Sequence, residues 1–143
     1  KQNDIHVLRA LLYEGVMLLD RTDQNEISVG RMNKESRNIH ISRFIKLVDI
    51  HLREQHSVQF YADKLSVTPN YLNELMNTVM SISAKQYIQD RIMDEVRRLL
   101  VYTNTSVSEL AFEFNFSSVS YFIRAFRQCT GYTPLAYRKE YKP

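Results

Sequence analysis

Hydrophobic residues recur at helical spacing along most of the chain. A first stripe, formed by Ile5, Leu8, Leu12, Val16 and Leu19, predicts an amphipathic helix near the amino terminus. A second helix is predicted over residues 41–55, with its apolar face formed by Ile41, Phe44, Ile45, Val48 and Leu52. Residues 21–38 between them are polar, contain Gly30 and have no sustained period, which is typical of a linker. We therefore expect an N-terminal helix and linker over residues 1–38 and a separate domain over residues 39–143.

Helix-start signals divide the rest of the chain into short helices. Side chains that accept a hydrogen bond from a backbone amide one turn later are favoured at helix starts, and proline is favoured in the first turn. Such signals occur at Ser57, Thr68-Pro69, Ser83, Ser106 and Thr133-Pro134. Gly131 marks a helix end, and residues 91–102 are predicted to form a helix that links two halves.

The second half of this region repeats the first. Ala62 matches Ala111 at an offset of 49 residues; at an offset of 50, Tyr71, Leu72, Met76, Ser83 and Tyr87 match Tyr121, Phe122, Phe126, Thr133 and Tyr137. The change of offset places one inserted residue at the turn. Each copy reads as a helix, a tight turn and a second helix. The predicted fold is all-α, with two helix-turn-helix subdomains joined by a linker helix and preceded by the N-terminal amphipathic helix.

In each subdomain the second helix must bury one stripe and present the opposite one. If Leu72, Leu75 and Met76 face inward, helical geometry turns the opposite stripe of that helix outward. The repeat then identifies the matching outward stripe on the second helix of the other subdomain. The eight candidate base-reading residues are Asn70, Asn73, Glu74, Asn77, Ser120, Ile123, Arg124 and Arg127. Asparagine can pair with adenine, glutamate can accept from cytosine, arginine can contact guanine and isoleucine can touch a thymine methyl group.

Charge and composition permit a nucleic-acid partner and exclude several other classes. The net charge is +3, and residues 91–143 carry all of it, with eight Lys/Arg against five Asp/Glu. The single cysteine, Cys129, excludes an internal disulfide and multi-thiolate zinc motifs. Neither a membrane span nor a secretion signal is found, so we expect a cytoplasmic protein. We predict no enzyme activity, no metal and no cofactor, since no catalytic set or phosphate loop is recognisable.

Several conspicuous residues have ordinary structural explanations. The repeated aromatic residues are expected in the core rather than on a base-stacking surface: Tyr71, Tyr87, Phe116, Tyr121, Phe122, Phe126 and Tyr137. Cys129 is expected to be buried and structural. His51 and His56 are five residues apart, a spacing that does not favour metal binding on one helix face.

The segment from Asn115 to Arg138, NFSSVSYFIRAFRQCTGYTPLAYR, closely resembles the signature of the AraC/XylS family of transcription regulators. Its matching motifs are Ser-x-Ser-Tyr-Phe, Arg-x-Phe, Gly-x-Thr-Pro and Tyr-Arg, and the resemblance extends more loosely over residues 41–141. It implies a seven-helix module whose two recognition helices enter successive major grooves, about 34 Å apart on one face of the DNA.

Three positions depart from the family pattern. Asn115 stands where glycine is usual, although asparagine also adopts left-handed conformations readily. Ser81 replaces a frequent glycine and corresponds to Gly131. Glu74 lies where many members carry Arg or Lys, which weakens the expectation of base contacts in the first subdomain.

We expect phosphate contacts at helix N-termini and basic side chains, namely at Ser83, Lys85, Arg91, Thr133 and Arg138. Double-stranded DNA is the expected partner, and the resemblance indicates an activator that also contacts RNA polymerase. A helical protein-interaction module with weak or lost DNA binding is the alternative. The N-terminal helix could cover its apolar stripe against the DNA-binding module, an upstream sensor domain or a second copy, which would give a homodimer.

Overall fold

A computed structural model describes the backbone of residues 28–143 and the side chains from residue 34 onward. Within that range the chain forms seven helices and no strand: α1 (Ser28–His51), α2 (Val58–Leu65), α3 (Pro69–Met80), α4 (Ala84–Tyr102), α5 (Val107–Glu113), α6 (Val119–Thr130) and α7 (Pro134–Tyr141). The all-α prediction is confirmed. The predicted helix at Ile5–Leu19 lies outside the described residues. Among the seven helices, none is long and apolar enough to cross a membrane.

The first helix differs from its prediction at both ends. It begins at Ser28 rather than near Ile41, so residues 28–38 of the predicted linker are helical. This stretch contains Met, Lys, Glu and Arg, which favour helix without forming an apolar stripe. The helix ends at His51 rather than Gln55, where the backbone amides of Glu54 and Gln55 turn back to the His51 carbonyl. The division into residues 1–38 and 39–143 stays a prediction.

The predicted helix starts are confirmed by their capping hydrogen bonds. In each case a serine or threonine hydroxyl oxygen accepts from a backbone amide at 3.0–3.2 Å. The predicted capping residues are Ser57, Thr68, Ser83, Ser106 and Thr133, and Ser118, which the start signals did not include, caps α6 in the same way. These local bonds satisfy amides that the helix itself leaves without partners, and they fix where each helix begins.

The described residues divide into two compact units. The first contains residues 28–48 together with Ser57–Gln86. Its core is built from one face each of α1, α2 and α3, and its fully buried large side chains include Phe44, Tyr61, Leu72 and Met76. The rings of Phe44 and Tyr61 meet edge to face with centroids 5.6 Å apart.

The second unit contains Asp49–His56 and Tyr87–Pro143. Its aromatic core includes Phe114, Phe122 and Phe126, all fully buried. The Phe126 ring meets that of Tyr137 with centroids 5.5 Å apart, which joins α6 to α7. Tyr121 is 46% exposed, so its predicted place in the core is wrong. Its ring lies at the edge of the cluster, 6.0 Å from that of Phe116.

Candidate nucleic-acid interface

The turns between the paired helices have the same hydrogen bonds in both units. In the first, the amide of Val67 donates to the Ala62 carbonyl over 3.0 Å; in the second, the amide of Phe116 donates to the Ala111 carbonyl over 2.9 Å. After the turn, Thr68 and Ser118 cap α3 and α6 in the same way. Equivalent residues of the two units are thus 49 positions apart before the turn and 50 after it, which confirms the internal repeat and its single insertion.

Left-handed residues at equivalent positions shape both copies. The residue at the turn is Ser66 in the first unit and Asn115 in the second, each with φ of 57°. The recognition helices end at Ser81, with φ of 63°, and at Gly131, with φ of 82°. The sequence departures at Asn115 and Ser81 therefore keep the backbone conformation that glycine would adopt most easily.

Helix α3 presents a polar face that carries no positive charge. Asn70, Glu74 and Asn77 are exposed, while Leu72, Leu75 and Met76 are buried on the opposite side. The hydroxyl of Tyr71 lies 3.3 Å from Nδ1 of His40 on α1, and this hydrogen bond joins α3 to α1 in addition to their apolar packing. The exposed face offers amide and carboxylate groups that suit base edges and gives no attraction to phosphate.

Asn73 differs from the other predicted readers on this helix. Its side chain is half-buried, and Oδ1 accepts hydrogen bonds from the backbone amides of Ala84 at 2.9 Å and Lys85 at 3.4 Å. With its oxygen engaged at the start of α4, Asn73 cannot pair bidentately with adenine. Its role in base readout stays a prediction, and this bond argues against a bidentate contact. Sequence spacing alone could not reveal this bond, because it joins residues in different helices.

Helix α6 presents a cationic face. Ser120, Arg124 and Arg127 are exposed, and Phe122 and Phe126 are buried on the opposite side. Ile123 is half-buried at the position equivalent to Asn73. Gln128, which was not among the predicted readers, is also exposed and lies one turn after Arg124. Its spacing of four residues from Arg124 was the available signal.

Two of the predicted phosphate contacts are engaged within the protein. Nη2 of Arg91 lies 3.0 Å from the Asp49 carboxylate. Burial by itself would lower the pKa of Arg91, but the hydrogen bond and ion pair with Asp49 raise it. The guanidinium of Arg138 donates to the carbonyl oxygens of Leu100, Thr103 and Thr105. These contacts argue against the predicted phosphate roles of both arginines, which stay predictions.

The other three predicted phosphate contacts have different surroundings. Lys85 is exposed in the first turn of α4. The Ser83 hydroxyl oxygen accepts from the amide of Gln86, and the Thr133 hydroxyl oxygen accepts from the amide of Ala136. Their side chains are thus used for capping. The first-turn amides of α4 already donate to Asn73 and Ser83, so the backbone group left for phosphate is the first-turn amide of Leu135 in α7.

The histidine and cysteine residues form no recognisable reactive or metal site. Among the side chains described, residues 34–143, no group of three or more His, Cys, Asp or Glu is arranged to hold a metal ion. His56 packs against Phe116 with ring centroids 5.2 Å apart, and burial lowers its pKa. Burial also raises the pKa of the half-buried Cys129 thiol, which disfavours the reactive thiolate.

Comparisons with known proteins agree with this geometry. A family model described as a helix-turn-helix domain matches residues 61–140, more than half of the chain. The chain is 25% identical over 125 residues to the regulatory protein PocR of Salmonella typhimurium, covering 87% of the chain and 41% of that protein. It is 27% identical over 117 residues to the melibiose operon regulatory protein of Escherichia coli, covering 80% of the chain and 39% of that protein. The chain therefore spans about two fifths of the length of these curated relatives.

A solved structure has the same fold. The C-terminal domain of AraT, a response regulator from Geobacillus stearothermophilus, matches with a TM-score of 0.67 and 24% identity, covering 73% of this chain and 87% of that one. The repeated turns, the family model and the similarity to known regulators all indicate the same family. The chain belongs to the AraC/XylS family of transcription regulators and carries an AraC-type helix-turn-helix domain.

Proposed function

We propose that this protein is a sequence-specific DNA-binding activator that inserts α3 and α6 into successive major grooves. The observation that carries the proposal is the face of α6, where Arg124 and Arg127 are exposed opposite the buried rings of Phe122 and Phe126. A helix packed on one side and cationic on the other suits the major groove, where arginine side chains can reach both guanine and phosphate.

The two helices contribute differently to binding. Helix α6 supplies most of the electrostatic affinity through Arg124 and Arg127, and Ser120, Ile123 and Gln128 add contacts along the same groove. Helix α3 carries one acidic and no basic side chain, so Asn70, Glu74 and Asn77 supply selectivity with little affinity. Lys85 and the first-turn amide of Leu135, which follows Thr133, contact phosphates.

The wider role follows from the family. The protein works in the cytoplasm, has no catalytic step and no cofactor, and activates transcription through contact with RNA polymerase. The helix predicted at residues 5–19, which lie outside the described residues, is proposed to join two copies into a dimer.

Binding to DNA of varied sequence tests the proposal. Duplexes bound by the protein are selected from a random pool, and affinity for the selected duplex is measured by fluorescence anisotropy at several salt concentrations. Arg124→Ala should weaken specific binding by about 1–3 kcal/mol. Lys46→Ala removes one exposed positive charge from α1 and serves as the matched control, with little expected effect.

The alternative, a helical protein-interaction module, draws on the uncharged and acidic character of the α3 face. It predicts that no sequence is enriched from the random pool and that Arg124→Ala and Lys46→Ala behave alike. Either result would contradict sequence-specific regulation by this chain.

A further inference from the structure

Side-chain hydrogen bonds hold helix α3 on two sides. Helix α6 has no such bond at either equivalent position. Tyr71 bonds to His40 on α1, and Asn73 bonds to the start of α4. The equivalent residues in α6 are Tyr121, which is 46% exposed, and Ile123, which has no polar side-chain atom. Apolar packing tolerates small rotations of a helix about its axis, whereas hydrogen bonds restrict them.

The bond made by Asn73 also fixes which way its amide faces. Both groups at the start of α4 are N–H donors, so the carbonyl oxygen must point toward them and the NH₂ group must point away. The acceptor of Asn73 is thereby used within the protein. The residue can fix the position of α3 through this bond without itself contacting a base.

We propose that Asn73 is a positioning residue for selectivity: its bond to the start of α4 sets the rotation of α3 and hence the direction in which Asn70, Glu74 and Asn77 face the DNA. This inference rests on the proposed function. It concerns only the part of the binding site that α3 reads. Helix α6 relies on two arginines, whose long side chains and charge tolerate small rotations better than the short side chains of α3.

The bond can be removed or preserved by substitution. Asn73→Leu removes the acceptor at similar volume, and Asn73→Ala does so with a smaller side chain if the leucine variant fails to fold. Asn73→Asp keeps an oxygen acceptor, and a carboxylate is favourable at a helix N-terminus. Ser106→Ala is the matched control, because it removes a helix cap of the same kind, at Glu109 in the second unit, without touching α3 or α4.

Each variant is checked for folding by circular dichroism and then used to select bound duplexes from the same random pool. Asn73→Leu and Asn73→Ala should lose preference in one part of the selected site, with about tenfold weaker binding to the wild-type sequence and unchanged preference elsewhere. Asn73→Asp should keep the wild-type preference, and Ser106→Ala should keep it despite lower thermal stability. The negative charge added by Asn73→Asp can weaken binding to all DNA. It does not by itself remove the preference for a base at one position of the selected site, which is what the experiment measures.

Three results would overturn the inference. Preference that survives in Asn73→Leu or Asn73→Ala shows that the bond does not direct α3. The same loss in Asn73→Asp shows that the NH₂ group, and thus direct DNA contact, is what matters. The same loss in Ser106→Ala shows that the loss follows from lower stability alone. If the wild-type protein itself selects no sequence, the proposed function has failed, and this is distinct from all three.

Discussion

Arg138 donates from Nε to the carbonyl oxygen of Leu100 over 2.9 Å, which ties α7 to the end of α4. Nη2 reaches two further carbonyl oxygens, those of Thr103 at 3.3 Å and Thr105 at 2.5 Å. These carbonyls lie where α4 ends and the chain turns toward α5, and those at a helix end lack partners within the helix. A positive group there is favoured by both hydrogen bonding and the helix dipole.

Replacing Arg138 should therefore affect stability rather than phosphate binding. We expect Arg138→Ala to lower the free energy of unfolding by roughly 1.5–3 kcal/mol, the usual range for hydrogen bonds to a charged group. Urea denaturation measures the loss. The neighbouring Lys139→Ala, which removes an exposed side chain, should change stability by less than about 0.5 kcal/mol.

DNA binding by folded Arg138→Ala should keep the wild-type dependence on salt. The predicted phosphate role, which the contacts of Arg138 argue against, would instead lower the slope of log affinity against log salt by about 1. A lower slope together with unchanged stability would restore that role.

These arginines show what sequence patterns could and could not predict. Helix starts depend on residues two or three positions apart, so the caps at Thr68, Ser118 and Thr133 were predictable. Arg138 bonds to residues 33–38 positions away, and Arg91 bonds to Asp49 at 42 positions. No local pattern distinguishes such a partner from a phosphate group.

Two other differences arose from reading hydrophobicity alone. Tyr121 matched a core position in the repeat, but its ring lies at the edge of the aromatic cluster. Residues 28–38 lack an apolar stripe, yet they form helix, which their helix-favouring side chains allow. The outward positions on α3 and α6 were better predicted, because burial of the opposite stripe determines them: Asn70, Glu74, Asn77, Ser120, Arg124 and Arg127 are all exposed.

A buried ion pair in the second unit should be important for stability. Asp94 is only 2% exposed, and its Oδ1 lies 2.8 Å from Nη1 of Arg97. Asp94→Ala leaves the positive charge of Arg97, whose side chain is 11% exposed, without this partner. We expect a loss of about 3–5 kcal/mol in the free energy of unfolding, measured by urea denaturation.

Glu95 provides the matched control for Asp94. It belongs to the same helix and pairs with Arg98 and Arg53, whose side chains are about half exposed. Because solvent screens this pair, Glu95→Ala should cost only about 0–1 kcal/mol. Equal losses in the two variants would mean that burial does not strengthen the dependence of Arg97 on its partner.

The left-handed helix ends allow a reciprocal test of backbone strain. Ser81 and Gly131 occupy equivalent positions with positive φ, and a Cβ atom on Gly131 would meet no other atom within 4 Å. The cost of a side chain at Gly131 therefore comes from the backbone alone. We expect Gly131→Ser to destabilise the protein by about 1 kcal/mol and Ser81→Gly to stabilise it by less, since glycine also adds freedom to the unfolded chain.

Thermal or urea denaturation of the two variants measures both effects. Opposite signs are the expected result. Two changes of the same sign would show that side-chain contacts, rather than the left-handed conformation, decide stability at these positions.

Glu74 offers a direct test of whether the α3 face lies against DNA. A carboxylate near phosphates is repelled, so Glu74→Gln should strengthen binding to duplex DNA of any sequence at low salt. One charge pair in a water-like medium at about 4 Å is worth about 1 kcal/mol, which sets the gain at about fivefold or less. Salt screens this repulsion, so the gain should shrink between about 50 and 300 mM salt, at roughly the concentrations where the Debye length falls below 10 Å.

The exposed Glu140→Gln makes the same change of charge on α7 and controls for net charge. If both variants gain equally, the effect comes from total charge and α3 need not face DNA; if Glu74→Gln alone gains, the repulsion acts at the recognition helix.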